Sequence, residues 1–257
     1  MLEFFGKLLG LQLVASEHGE KVNQLVILVH CLMAVLFVGW LAYFLFTLWK
    51  FHARRHPKAD YHGVKNHASS YVEVSVAVIE VALLVLVAVP LWARAVDKFP
   101  PESESTVIQI VAQQFAWNVR YPGADHAFGK QQMTLVSDAN LFGVDPTDPL
   151  GKDDIQTLNE IHVPVDKDVI IYISSKDVIH SFKIVSMRVT QDAIPGMRIP
   201  IHFKPTKPGR YQISCAQLCG LGHASMANGF LVVESQAYYD KWLATKAPAA
   251  PGANSFE

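Results

Sequence analysis

The chain is poor in cysteine and poor in charge. Three cysteines among 257 residues are too few for a disulfide framework, and the odd number leaves one unpaired. Only 18% of residues are charged and the formal net charge is -1, so there is no electrostatic case for nucleic acid as a partner. Near-neutrality combined with 51% hydrophobic residues excludes a chain disordered throughout. The length accommodates one domain of ordinary size plus about 100 residues of something else.

The scarcity of charge is concentrated near the N-terminus. Val22 to Trp49 contains no Asp, Glu, Lys or Arg. A bilayer crossing needs about 20 apolar residues, so this run suffices, with Trp40, Tyr43 and Trp49 placed to sit near an interface. A buried core helix is the competing reading, but soluble helices average only about 11–12 residues. A second apolar run, Tyr71 to Ala95, holds two acids, Glu73 and Glu80, and a Pro90 near its far end. Carboxylates in such a helix should face protein or water rather than lipid. Between the runs, residues 50–70 carry Lys50, Arg54, Arg55, Lys58 and Lys65 against Asp60 alone. That excess of bases puts the loop in the cytoplasm, and the N-terminus and everything after about Val96 outside.

Residues 1–21 form a separate N-terminal segment. Met1 to Ala15 fits an amphipathic interfacial helix. It also fits a short signal, with Leu8 to Val14 as its apolar part and Ala15 or Ser16 before the cut, although Glu3 is out of place in a positive leader. Residues 22–96 then make a transmembrane helical hairpin.

Residues 97–246 change character. From 97 to the C-terminus there are 17 acids and 14 bases, a net charge of -3. Short β-rich runs alternate with Pro-Gly, Asp-Pro and Lys-Pro-Gly turn signals. Strands are expected at Val107–Val111, Gln132–Val136, Asp168–Ser174, Arg210–Ser214 and Gly229–Val233. Asp138 to Asp154 reads as a long loop and Gln236 to Lys246 as a terminal helix. The Ala- and Pro-rich residues 247–257 read as a disordered tail. Many short strands argue for a sandwich or small barrel. The expected class is therefore an α+β membrane protein with an external all-β domain.

The chemistry is concentrated in Cys215-Ala-Gln-Leu-Cys219-Gly-Leu-Gly-His223-Ala-Ser-Met226. Thiolate, thioether and imidazole together select copper over hard cations. Zinc would accept two cysteines and a histidine but gains nothing from Met226. A Cys215–Cys219 disulfide is the plain alternative in an oxidising compartment. The short fixed intervals to His223 and Met226 favour copper. A further ligand is available in Asp177-Val-Ile-His180-Ser, at the end of a strand-like run about 35 residues upstream.

These motifs, with Asp192-Ala-Ile-Pro-Gly196 and the two-helix hairpin, make the chain resemble subunit II of the haem-copper terminal oxidases over roughly residues 20–245. The resemblance implies a Greek-key cupredoxin fold and a dinuclear copper (CuA) centre. Cys215 and Cys219 would bridge the coppers, His180 and His223 would each cap one, and Met226 and the backbone carbonyl of Gln217 would be weak ligands. It also implies a bacterial plasma membrane location, a haem-bearing subunit I and other oxidase subunits as partners, and a cytochrome c or complex-bound c-type cytochrome as electron donor. Oxygen reduction would belong to subunit I, so no catalytic residue is expected in this chain. Gln114-Phe115-Ala116-Trp117-Asn118-Val119-Arg120-Tyr121 corresponds to the family's aromatic stretch, which makes Phe115 and Trp117 electron-entry candidates on a docking patch. Glu73, 17 residues before Pro90, corresponds to a carboxylate at a proton-channel entrance, with a plain interfacial carboxylate as the alternative.

Departures from the family pattern are local. Gln217 replaces a glutamate whose carboxylate helps hold magnesium at the subunit interface, and a neutral amide weakens the case for that ion. Arg120 and Lys176 stand where acids are common, which suggests a different docking face. Two other functions share parts of this pattern: the copper subunit of a nitric oxide reductase, and a membrane-anchored copper delivery or assembly protein. The quinol-oxidising branch of the family lacks the copper ligands, so the full ligand set argues against it.

Overall fold

A computed structural model describes residues 2–58, 61–63 and 65–246 of the chain. The expected tail, residues 247–257, lies outside the described residues. The chain divides into two units. One comprises residues 2–11 and 21–94, and the other residues 12–20 with the chain from Ala95 onward.

The first unit is helical. After a short helix α1 (Leu2–Leu8) comes α2 (Gly19–Lys50), then α3 (Ala68–Leu83), a π-helical turn (Leu84–Ala88) and α4 (Val89–Val96). The span Gly19–Lys50 and the continuous span Ala68–Val96 are both long and apolar enough to cross a bilayer. Each exceeds the run read from sequence, because helices extend into polar flanks where backbone groups still need partners. Pro90 has no N–H for the carbonyl four residues back, and its ring crowds that carbonyl. The π turn immediately before it is one of the recognised ways a helix absorbs such a defect. Glu73 and Glu80 are both exposed on α3.

The second unit is a β-sandwich of two five-stranded sheets. Its strands are β1 (Thr106–Gln113), β2 (Ala116–Tyr121), β3 (Ile155–Leu158), β4 (Glu160–Pro164), β5 (Val169–Ser175), β6 (His180–Ile184), β7 (Val189–Ala193), β8 (Ile199–Phe203), β9 (Gly209–Cys215) and β10 (Gly229–Glu234). One sheet runs β3-β2-β1-β5-β8 and the other β4-β10-β9-β6-β7. The pairs β1–β5 and β4–β10 are parallel and the others antiparallel. A terminal helix, α5 (Gln236–Lys246), follows. The molecule is thus of the membrane-anchored α+β class with a cupredoxin-like β domain.

Period-two alternation sends one face of each strand inward. Ile108, Ile110 and Ala112 of β1, Val169, Ile171 and Ile173 of β5, and Trp117, Val119 and Tyr121 of β2 are all buried. From the other sheet come Phe182 and Ile184 of β6, Tyr211 and Ile213 of β9, and Leu231 and Val233 of β10. The expected strand at Gln132–Val136 is not formed. Met133–Leu135 is a 3-10 turn, and only Gln131 makes an isolated bridge, to Val144. Met133 is exposed, so this apolar-looking segment has no inward face to bury. It belongs to the long excursion between β2 and β3, where Phe142 is buried instead.

Residues 12–17 are also part of this unit, which divides the N-terminal segment in a way its sequence does not announce. Ala15 is wholly buried and belongs to the core cluster. Its N–H donates to the Ser186 carbonyl at 2.8 Å, its carbonyl accepts from Thr206 N–H at 2.8 Å, and Ser16 Oγ donates to the Met187 carbonyl at 2.6 Å. The helix expected over Met1–Ala15 therefore stops at Leu8, and the following residues form a strap on the sandwich.

Arg120 corrects another expectation. It is fully buried and cannot belong to a docking face. Its guanidinium pairs with Asp154, with Nε–Oδ2 at 3.1 Å, and also donates to Gln109 Oε1 at 3.1 Å and the Gly129 carbonyl at 3.0 Å. These bonds tie the root of the excursion to the first sheet. Lys176 is partly exposed but is paired with Asp138. Replacing Arg120 with Met leaves Asp154 buried without its partner. A loss of about 3–5 kcal/mol is expected for breaking a buried pair from one side. Urea-dependent pulse proteolysis of the detergent-solubilised chain checks it; an unchanged midpoint would show that the pair carries no stability.

Candidate metal centre

Two adjacent strands bring the donors together. β6 pairs with β9 so that Phe182 lies opposite Cys215. His180 shares the inward parity of Phe182 and Ile184, and Cys215 shares that of Tyr211 and Ile213. Both therefore point into the end of the core. The chain then loops through residues 216–222 into a 3-10 segment, His223–Asn228, which returns Met226 to the same place.

The atoms converge. One ligand atom each from His180, Cys215 and Cys219 lie within 4.8 Å of one another. His180 Nδ1 is 3.2 Å from Met226 Sδ and 4.0 Å from Cys215 Sγ. Cys219 Sγ is 3.4 Å from Met226 Sδ and 3.4 Å from His223 Nδ1. The Gln217 carbonyl oxygen is 3.0 Å from Cys215 Sγ. Both cysteines are free thiols rather than a disulfide. His180 and Met226 have no exposed surface, whereas His223 is half-buried.

Electrostatics suit a soft metal. Burial, followed by the adjacent Cys215, pushes the Cys219 thiol up to about 11. Burial there disfavours a bare thiolate, so the thiol keeps its proton until a metal cation displaces it. His180 Nε2 lies 2.8 Å from Asp177 Oδ1, which fixes the tautomer and leaves Nδ1 facing the sulfurs. Partial burial works against charge on Asp177. The Gln114 N–H, the His180 ring and the Val178 N–H outweigh it and hold the carboxyl below its usual range. Three sulfurs, two imidazole nitrogens and a carbonyl in a buried corner form a donor set suited to copper. The Asp177-Val-Ile-His180-Ser motif alone assigns Asp177 no role. Its place three residues before His180 was the available signal.

Trp117 does not lie on a surface patch. It is fully buried, its indole N–H donates to the Met226 carbonyl at 3.0 Å, and its ring meets Phe182 edge-on at 5.3 Å and His180 at 6.2 Å. Inward alternation on β2 puts it in the core. Phe115, at the β1–β2 turn, is partly buried and retains some surface.

Residues 106–235 match the family described as Cytochrome C oxidase subunit II, periplasmic domain. The chain belongs to the cytochrome c oxidase subunit II family. Among its relatives is a probable cytochrome c oxidase subunit 2 of Rickettsia bellii, 34% identical over 224 residues that cover 86% of this chain and 77% of the relative. Another, an alternative cytochrome c oxidase subunit 2 of Bradyrhizobium diazoefficiens, is 28% identical and aligns over 79% of this chain and 76% of its own. A crystal structure of the periplasmic domain of cytochrome oxidase subunit II from Bradyrhizobium japonicum is 28% identical. It covers 58% of this chain and 96% of that one, with a TM-score of 0.43. As a subunit II, the protein is a component of an oxidoreductase complex.

The two aromatics therefore do different things: Trp117 fills the core and holds the Met226 carbonyl, whereas Phe115 keeps some surface. Trp117→Ala empties a core site and should cost about 3–5 kcal/mol. It should also perturb the metal-bound absorption spectrum, because Met226 loses the partner of its carbonyl. Phe115→Ala should leave stability within about 1 kcal/mol. Thermal melts and spectra of the two variants decide it, and an unperturbed Trp117→Ala spectrum would argue against any hold of the indole on the site.

Proposed function

We propose that this subunit II accepts single electrons from a c-type cytochrome at a dinuclear copper centre and delivers them to haem in subunit I, where oxygen is reduced to water with coupled proton pumping. The observation that carries the reading is the meeting of Cys215, Cys219, His180, His223, Met226 and the Gln217 carbonyl in one buried corner. Bound there, a copper pair supplies a one-electron redox couple shared between two metals.

The chain's own residues do the rest. Cys215 and Cys219 present two sulfurs to a common space, the arrangement that bridging requires. The His180 ring is held from behind by Asp177, and the Met226 backbone by Trp117. Burial among Phe182, Ile213 and Trp117 excludes water and limits the rearrangement accompanying a change of charge. His223 is the half-exposed donor, and Leu218 and Leu221 beside it are exposed. Electron entry is therefore assigned to the His223 rim with Phe115. No bond of a substrate is made or broken by this chain. Gln217 carries no charge, which gives no support to a magnesium ion there. Glu73 stands on α3 as the proton-uptake candidate.

The hairpin spans the plasma membrane in this reading, with the basic loop of residues 50–70 in the cytoplasm and the copper domain outside. The support for this orientation is the excess of bases in the loop.

Two coppers per chain are expected, with a mixed-valence electron paramagnetic resonance signal in which both nuclei share the unpaired spin. Cys215→Ser or Cys219→Ser should abolish that signal. One zinc, or a Cys215–Cys219 disulfide after careful copper loading, would refute the dinuclear reading and favour a delivery or assembly role. Protease added to intact spheroplasts should cut within residues 95–246 and spare residues 50–70; cleavage in the loop from outside would invert the topology.

A further inference from the structure

The β1–β2 turn belongs to one sheet, yet it reaches both metal-bearing segments of the other. Gln113 pairs with Ala116, so Gln114 and Phe115 form the tip of a tight hairpin. The Gln114 backbone N–H donates to Asp177 Oδ2 at 2.7 Å, and the other oxygen of that carboxylate holds His180 Nε2. The Gln114 side-chain amide donates to the Cys219 carbonyl at 2.6 Å. Only the amide nitrogen can make this bond, since the partner is an acceptor. The Phe115 ring lies against Gly222 so closely that a Cβ there would come within 2.4 Å of it. A Cβ on Gly220, whose φ is +131°, would come within 2.8 Å of the Gln114 amide nitrogen.

From this geometry we propose that Gln114 is a positioning residue for the copper centre, bracing the His180 segment through its backbone and the Cys219 loop through its side chain. The reasoning is mechanical. His180 opens β6 and Cys215 closes β9, so those two donors are placed by sheet pairing. Cys219 and His223 lie beyond the last ladder bond of β9 and have no such support. Residues 216–222 contain two glycines and no regular structure, so an unbraced loop would be free to carry the Cys219 sulfur away from Cys215. The Gln114 amide fixes the carbonyl of the cysteine itself, and Phe115 fills the space that the two glycines leave. One hairpin tip therefore sets the distance between the donors that sheet pairing holds and those on the loop. Loss of such supporting bonds typically costs 10–100-fold in metal affinity.

This proposal rests on the copper reading, but its first test needs no metal. Two variants of the full chain in detergent are compared with wild type: Gln114→Ala, and Gln114→Met, which keeps length and bulk without a donor. In metal-free protein, amide hydrogen exchange over residues 219–223 should be about tenfold faster in both, with exchange in β10 unchanged. After copper loading, both should still hold two coppers but lose copper(I) to a chelator about 10–100-fold faster, with altered copper hyperfine splittings. Wild-type exchange and release in both variants would overturn the proposal. So would wild-type behaviour of Gln114→Met alone, which would show that bulk rather than the hydrogen bond matters. If wild type itself failed to bind two coppers, the function assigned above would fall, while the metal-free exchange would still decide the brace.

Discussion

The structure depends on two adjacent strands ending with their inward faces at the same corner. β6 and β9 pair so that Phe182 stands across from Cys215, and the two-residue alternation of each strand fixes what lies on that face. A register slip of one residue would turn His180 and Cys215 outward. The hydrophobic residues on the same parity, Phe182 and Ile184 on one strand and Tyr211 and Ile213 on the other, make such a slip costly. The apolar core is thus what aims the donors, and the site inherits the stability of the sandwich. It also inherits dryness: a buried thiol such as Cys219 resists ionisation until a cation arrives, which ties occupancy of the site to the metal.

How far the sequence discloses this depends on whether the signal is local. The donor cluster is legible because four donors fall within 12 residues, at intervals that neither a disulfide nor a zinc site needs. The spanning helices are legible because a long uncharged run has few other physical uses. Strands with strong alternation, such as Val107–Val111 and Gly229–Val233, are legible for the same reason. Six others carry no such signal. They are short, as β3 is at four residues, or carry polar residues on an exposed face, as β7 does with Thr190 and Asp192. The segment Gln132–Val136 misled because its composition suits a strand while no neighbour is available to pair with it.

Charge was the least legible property. Arg120 reads as a surface base in the sequence, yet it is a buried pivot. Its partner Asp154 lies 34 residues away, on the far side of an excursion whose path only tertiary structure reveals. The strap at residues 12–17 shows the same limit. A short stretch with two apolar residues, an alanine and a serine looks like a leader boundary. It is held instead by carbonyls and amides of residues 186–187 and 204–206, about 170–190 positions downstream. Neither pairing leaves a local trace. Each rests on backbone or buried-charge accounting, in which every buried polar group needs a partner somewhere.

With Arg120 removed from the surface and Lys176 neutralised by Asp138, the exposed edge of the centre has a different character from the one its sequence suggested. Its prominent side chains are Leu218, Leu221 and Phe115, beside a half-buried His223. Such a rim offers a donor contact area rather than a field. Steering at long range would need concentrated charge of one sign, and these rim side chains carry none. The same residues that face outward also lie over the braced loop: Phe115 covers Gly220 and Gly222 while Gln114 holds Cys219. If electrons enter at this rim, as proposed, the entry surface and the clasp that sets the ligand spacing are one structure. A change made to improve docking at Phe115 would be felt at the metal, and the freedom of this rim to vary is bounded by the geometry beneath it.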